Sequence, residues 1–324
     1  MQVNEKILEV KKLHVNFKTR AGLVKAVDGI SFDVRAGEIL GIVGESGWGK
    51  SVTANAIMKL IGNRKNEIVA GEVLFHNDNL VPKTEREMQR IRGNKIAMIF
   101  QDPMTSLNPL YTAGDQIAEV PIIHEGLNKR TAFQRAIEML KIVRIPSAAD
   151  RATQYPHQFS GGMRQRAVIG MNLACKPELL IADEPTTALD VTIQAQIMQL
   201  LVDMREQFGT SIILITHDLG VVAQMCDSVA VMYTGNIIEK AATNELFDVP
   251  LHPYTRGLLA SLPQPHSQER LKPVEGQPPN LHELPEGCLF EPRCPYAFES
   301  CHEKPMLSEV KPGHEKACWL ESIP

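Results

Sequence analysis

The chain is poor in aromatic residues, which make up 5% of its 324 positions, with only two tryptophans among them. No stretch approaches the roughly 18 continuous apolar residues of a membrane-spanning helix, so any link to a membrane is expected to run through partners. The opening residues, Met-Gln-Val-Asn-Glu-Lys, lack the apolar core of a signal peptide. Positive charge is not in excess either. The formal net charge is −4 and the pI about 6.2, which leaves no global basic field of the kind nucleic-acid binders use. These absences point to a soluble, cytoplasmic protein. What is plentiful is Leu, Ile, Val and Met, as suits an α/β domain whose buried parallel strands are aliphatic. The length allows a substantial core and more than one domain.

The octapeptide Gly44-Glu45-Ser46-Gly47-Trp48-Gly49-Lys50-Ser51 fits G-x-x-x-x-G-K-[S/T] and follows the apolar run Ile39–Val43. A strand, a Gly-rich turn and a helix are the context that pattern requires. Backbone N–H groups of such a loop, with the helix N-terminus behind them, surround phosphates. Lys50 supplies a cation to the β- and γ-phosphates, and the Ser51 hydroxyl ligates Mg2+. The bland alternative is a Gly-rich turn with a chance Lys-Ser. A second element, Leu179-Leu180-Ile181-Ala182-Asp183-Glu184, is an apolar strand ending in two adjacent carboxylates. Between them lies Phe159-Ser160-Gly161-Gly162-Met163-Arg164-Gln165-Arg166.

In that order the three elements make the chain resemble the ATP-binding cassette (ABC) ATPases, and the bland alternatives lose. Gln101, ending the strand-like Ile96–Phe100, resembles the family's Q-loop; Ala188-Leu189-Asp190 resembles its D-loop, and His217 its switch histidine. Within the family, Gln101-Asp102-Pro103-Met104-Thr105-Ser106-Leu107-Asn108-Pro109, the Met163-to-Arg166 ending and His252-Pro253-Tyr254-Thr255 resemble the ATPase subunits of dipeptide and oligopeptide importers.

The resemblance implies an α/β fold: a P-loop core, an antiparallel β subdomain, a helical subdomain and a Pro-rich C-terminal extension with a metal centre. It implies a nucleotide site on Gly44 to Ser51 and Val52, with Mg2+ held through Ser51, Gln101 and Asp183. Glu184 is the implied general base, with Gln101 and His217 completing the hydrolytic set. Phe17 is the nearest aromatic able to stack on adenine, the alternative being a strand-end core Phe. Trp48 departs from the pattern, where a small residue is usual; its indole is expected to point to solvent, the alternative being that it crowds the facing subunit's loop. Ser160, Gly161, Gly162 and Met163 should cap the ATP of a facing subunit, so function needs two cassettes. The implied partners are a second, non-identical cassette, two membrane permease subunits and, indirectly, an extracytoplasmic peptide-binding protein. The implied place is the cytoplasmic face of the membrane.

Residues 7–17, Ile30–Val34 and Glu72–Phe75 partly alternate and read as half-buried antiparallel strands, with a turn at His76-Asn77-Asp78-Asn79. Runs at 39–43, 96–100, 179–182, 211–216 and 228–233 suit a central sheet, and a helix is expected from about Lys50 to Ile61. Residues 111–158 are mostly helical in pattern, Ala132–Val143 most clearly. The expected division is a cassette over 1–245, with its helical subdomain at about 102–165, and an extension over 246–324. In that extension Pro263, Pro265, Pro273, Pro278, Pro279 and Pro285 break long helices and strand signals are weak. It reads as separate from the cassette.

Four of the six cysteines sit in the last 37 residues: Cys288, Cys294, Cys301 and Cys318, spaced x5, x6 and x16 with no Cys-x-x-Cys pair. A reducing cytoplasm disfavours disulfides. Soft thiolates suit a 4Fe–4S cluster or structural Zn2+. Among the peptide-importer ATPases such an extension resembles those that carry a 4Fe–4S cluster. His302 and His314 keep a mixed Cys/His zinc site open, and unligated thiols are the third option. Cys175 and Cys226 read as packing thiols. Other functions within reach of these motifs are a nickel- or glutathione-type importer ATPase and a soluble ABC ATPase of DNA repair, translation or iron–sulfur assembly. A structural half with a dead site is a further option, opposed by intact Lys50, Asp183, Glu184 and His217.

Overall fold

The computed structural model describes residues 5–62, 64–102, 106–187, 190–262, 274–277 and 279–323. Along them the strands are β1 (Lys6–Thr19), β2 (Gly22–Arg35), β3 (Ile39–Val43), β4 (Glu67–Phe75), β5 (Asp78–Asn79), β6 (Ile96–Ile99), β7 (Leu179–Asp183), β8 (Ser211–Thr216), β9 (Ser228–Tyr233), β10 (Asn236–Ala242), β11 (Ser308–Lys311) and β12 (His314–Lys316). The chain divides into two compact units. One comprises Met1–Ile7, Arg35–Gly37 and Pro82–Leu214; the other comprises Leu8–Val34, Glu38–Val81 and Ile215–Pro324.

In the first unit β6 and β7 run parallel, with Ile96 opposite Leu179 and Ile99 opposite Ala182. Every residue of both strands is buried. Continuous aliphatic runs of this kind belong to parallel strands covered on both faces. The same unit carries helices Ala113–Glu125, Lys129–Ile142, Ala148–Ala152 and Gly161–Asn172. Their starts are set by Thr112, Asn128 and Ser160, whose side-chain oxygens each accept from the main-chain N–H of the third helical residue. In Lys129–Ile142 the buried residues Ala132, Ala136, Met139 and Leu140 recur at helical spacing, which is the stripe the sequence showed.

In the second unit a four-stranded sheet runs β2-β1-β4-β5. Strands β1 and β4 pair antiparallel from Leu8 opposite Phe75 to Phe17 opposite Glu67, with a bulge between Lys11 and His14. His76 and Asn77 both take positive φ, at 48° and 64°, and turn β4 into β5. Asp78 and Asn79, expected in the turn, already belong to the short strand opposite Phe75 and Leu74. A second sheet in this unit runs β11-β12-β10-β9-β3, with β3 and β9 parallel and the other pairs antiparallel.

Two expectations need correction. The helix after the phosphate loop spans Lys50–Ile57 and stops short of Ile61. Lys59 takes a left-handed φ of 48° and its Nζ donates to the Val81 carbonyl at 2.8 Å, which turns the chain out of the helix. The tail also does not stand apart in sequence order. Strand β12 pairs with β10, Glu239 opposite Lys316 and Lys240 opposite Glu315, so the last residues extend a sheet begun by the cassette. Glu239 and His314 are fully buried at this seam, Oε1 to Nε2 at 2.8 Å, and Glu239 also accepts from the N–H groups of Leu251 and His252. A register fixed by buried polar pairs leaves no hydrophobic alternation for sequence reading to find.

Candidate nucleotide site

The phosphate loop leaves β3, all five residues of which are buried, and enters the helix Lys50–Ile57. Two glycines are required by what lies against them. Gly44 has φ +148°, and a Cβ there would sit 2.2 Å from the Met232 carbonyl oxygen. Gly49 has φ +91°, and its Cβ would sit 2.3 Å from the Ala26 oxygen. No L side chain fits either position. Lys50 is 4% exposed, and its ammonium donates to the carbonyls of Gly44 and Glu45 at 2.8 Å each. The cation is thus folded over the concave side of the loop, where a phosphate would sit. Thr53 closes the first helical turn through its hydroxyl to the Gly49 oxygen at 2.9 Å.

Trp48 does not point to solvent. It is 5% exposed, its ring meets Tyr233 edge-on at 4.1 Å between centroids, and Tyr254 lies 5.8 Å away. A large aromatic is accommodated because β9 and the helix Pro253–Ala260 supply an aromatic pocket behind the loop. Tyr254, from the His252-to-Thr255 motif, accepts from the Glu45 N–H through its hydroxyl at 3.1 Å. Phe17 is half-buried on β1, opposite Glu67. His217 follows β8 and is exposed, and Asp218 after it caps the helix Leu219–Met225.

In the first unit the carboxylate pair ends β7. Asp183 is 3% exposed, while Glu184 takes φ +45°. A non-glycine residue in that region costs on the order of 1–2 kcal/mol. Such strain persists only where neighbours over-determine the conformation. Here the Thr187 N–H donates to the Glu184 carbonyl at 3.1 Å and the Thr187 hydroxyl to Glu184 Oε2 at 3.0 Å. The Gln101 side-chain amide donates to the same oxygen at 3.1 Å. Gln101 and Glu184, predicted from separate motifs, are therefore brought together. Thr187 was missed as a positioning residue; its signal was its place three residues after the carboxylate.

Ser160 caps the helix Gly161–Asn172 by accepting from the Met163 N–H at 3.3 Å. Ser160 and Gly161 are exposed, and Gly162 and Met163 half-buried. The buried Gln165 of that helix donates to the Pro185 carbonyl, tying the helix to the segment after Glu184. Pro103, Met104, Thr105, Ala188 and Leu189 lie outside the described residues, as do Pro263, Pro265, Pro273 and Pro278. Asp190 is described, and caps the helix Val191–Phe208.

The tail cysteines give a different outcome. Cys288 and Cys301 are buried, Cys294 and Cys318 half-buried. Burial pushes the Cys288 thiol up to about 11, against the Phe290 N–H, with Cys301 and Cys318 adding to the rise. Burial likewise raises Cys294 and Cys318. Yet among the described residues no group of three or more His, Cys, Asp or Glu side chains is arranged to hold a metal ion. The expected metal centre is not supported as a preformed site. The two histidines are engaged elsewhere: His302 with Glu291 at 3.1 Å on the surface, His314 with buried Glu239. Cys226 is buried as expected, and Cys175 is half-buried with its thiol pushed up to about 12, by burial first and then Glu125.

The family model of ABC transporters matches residues 27–187, and that of the oligopeptide/dipeptide transporter C-terminal region matches 238–301. The chain is 53% identical to a probable peptide ABC transporter ATP-binding protein, y4tR, of Sinorhizobium fredii, over 98% of this chain and 97% of that one. It is 50% identical to the oligopeptide transport ATP-binding protein OppD of Salmonella typhimurium, over 97% and 93%. Among solved structures, the dimeric ABC transporter cassette MJ0796 superposes with a TM-score of 0.65 at 29% identity, covering 73% of this chain and 98% of that one. A cassette matched over nearly its whole length, followed by a second matched segment, accounts for both parts of the chain, which belongs to the ABC transporter ATP-binding subunits of the oligopeptide and dipeptide importer family.

Proposed function

We propose that this chain is the ATP-hydrolysing subunit that energises an importer of dipeptides or oligopeptides. The observation that carries the reading is Glu184, a carboxylate in left-handed backbone at a strand end, held by Gln101 and Thr187. Strain retained at one carboxylate and secured by two donors is what a group that orients water for phosphoryl transfer needs. In this reading Gly44, Glu45, Ser46, Gly47, Trp48, Gly49 and Val52 shape the nucleotide cradle. Lys50 moves from its carbonyl partners to the phosphates, and Phe17 stacks on adenine. Ser51, Gln101 and Asp183 offer the hard oxygen donors that would hold Mg2+. When bound, the ion neutralises the phosphate charge. Glu184 orients water and takes its proton, and His217 holds the γ-phosphate geometry.

Ser160, Gly161, Gly162 and Met163 serve the nucleotide of a facing cassette, here a non-identical one; the similar cassette MJ0796 is dimeric in its solved structure. Among the described residues no helix is long and apolar enough to cross a membrane, so attachment runs through two permease subunits, with a peptide-binding protein acting on them from outside. Residues 1–245 form the cassette, about 102–165 its helical subdomain and 246–324 the extension. The test is Glu184→Gln in the assembled transporter. Turnover should fall by at least ~100-fold while ATP still binds. Near-normal turnover would rule the role out.

A 4Fe–4S cluster on Cys288, Cys294, Cys301 and Cys318, in preference to Zn2+, is the finer part of the proposal. It rests on the donor set: four soft thiols in one tail segment, with peptide N–H groups of Phe290, Tyr296 and Leu320 directed at three of them. Protein prepared without oxygen should contain about four irons and matching labile sulfide per chain. One zinc and no sulfide would sink the cluster.

A further inference from the structure

We infer that Arg293, from the C-terminal extension, is a positioning residue of the nucleotide site and acts by neutralising Glu45 of the phosphate loop. The inference rests on reading Gly44–Ser51 as that loop. Arg293 lies 248 residues downstream of Glu45, in the 3-10 turn Glu291–Arg293 just before Cys294. Its side chain is 3% exposed. Nη1 donates to Glu45 Oε2 at 3.2 Å and Nη2 to Oε1 at 3.1 Å, a bidentate fork. The guanidinium also holds the tail itself: Nε donates to the Glu275 carbonyl at 3.0 Å and Nη2 to that of Val274 at 3.3 Å. Its central carbon stands 5.9 Å from the ring centroids of Trp48, Tyr233 and Phe290.

A carboxylate in the second position of a phosphate loop is a liability, because the loop must accept a polyanion. Unpaired, it would repel the phosphates through a poorly screened, partly buried path. Paired by a planar fork, it is neutralised and held to the outer side of the loop. The surrounding contacts favour this over a purely structural bond. Tyr254 takes the Glu45 N–H at 3.1 Å, Trp48 is packed behind the same loop, and Arg293 already has main-chain partners in its own segment. The tail therefore supplies a wall of the loop and a charge that matches the loop's own carboxylate.

The experiment is equilibrium binding of Mg-ATP to the full-length chain. Arg293→Gln leaves Glu45 charged and unpaired and should weaken binding roughly tenfold. Adding Glu45→Gln removes the repelling charge and should restore affinity to within about threefold of wild type. A residue that merely braces the tail gives no such rescue. Lys304→Gln, which breaks another pair between tail and cassette strands (Lys304 to Asp28, 2.8 Å), should leave affinity unchanged. Should Arg293→Gln not fold, Glu45→Asp and Glu45→Gln settle the matter. The first keeps the charge but falls a methylene short of the fork and should bind several-fold more weakly than the second. Unchanged affinity in Arg293→Gln, a double variant as weak as the single, or equal affinities for Glu45→Asp and Glu45→Gln would overturn the inference. A wild-type chain that binds no Mg-ATP would instead sink the phosphate-loop reading itself.

Discussion

The phosphate loop and the cysteine segment of the tail are both short irregular stretches, but they are held in opposite ways. Residues 44–49 are fixed by steric exclusion. Main-chain oxygens of Met232 and Ala26 come so close that only glycine fits at 44 and 49, and Lys50 closes over the loop's own carbonyls. The segment from Cys288 to Cys318 is held by scattered bonds: Cys288 N–H to the Cys301 carbonyl at 2.8 Å, Trp319 Nε1 to Glu303 at 3.0 Å, and the buried His314–Glu239 pair. Exclusion at a fixed backbone leaves few sequences that fit. Scattered side-chain bonds leave many. The first kind of region is therefore recognisable from its letters alone and the second is not.

The contrast can be broken most forcefully with one substitution in each region. Gly44→Ala places a Cβ against the Met232 oxygen at positive φ and should abolish measurable ATP binding, a loss of at least ~100-fold. Gly313→Ala, at φ +76° with nothing within 4 Å, faces only the backbone preference and should cost about 1 kcal/mol. Binding titrations and thermal melts on the two variants check this. Equal effects would mean that the loop is not sterically caged.

A smaller effect concerns pH at the junction of the two regions. Burial first, and then Lys316, holds fully buried His252 at a pKa of about 3, well below the usual 6.5. The folded ring stays neutral while the unfolded one takes up a proton below 6.5. This contribution to stability is thus present above pH 6.5 and is lost as pH falls toward 3. By pH 5 the loss is ~2 kcal/mol. Asn in its place can still accept from the Tyr254 N–H, as His252 Nδ1 does at 3.0 Å. His252→Asn should therefore show a flatter fall of melting temperature between pH 7 and 5, and an unchanged slope would contradict the buried neutral ring.

The same distinction governs how much was legible in advance. The strands around 39–43, 96–99, 179–183, 211–216 and 228–233 were readable because each is built on a short, mostly aliphatic run. The contact between Gln101 and Glu184 was within reach because each was singled out from its own motif. Trp48 was misplaced, since nothing local to it announces that Tyr233, Tyr254 and Phe290, between 185 and 242 residues downstream, form the pocket behind it. The tail strands β11 and β12 were missed because β11 is exposed throughout and β12 buries charged residues, so neither alternates. Cysteine spacing suggested a metal centre, yet spacing alone does not specify a coordination polyhedron.

The central claim is that binding and hydrolysis of ATP are divided between Lys50 in the phosphate loop and Glu184 after β7. The most direct measurement follows ATP affinity and phosphate release side by side in the assembled transporter, for wild type, Lys50→Ala and Glu184→Gln. Both variants should lose turnover, and only Glu184→Gln should keep wild-type-like affinity. Loss of binding in both, or phosphate release persisting in Glu184→Gln, would contradict the account.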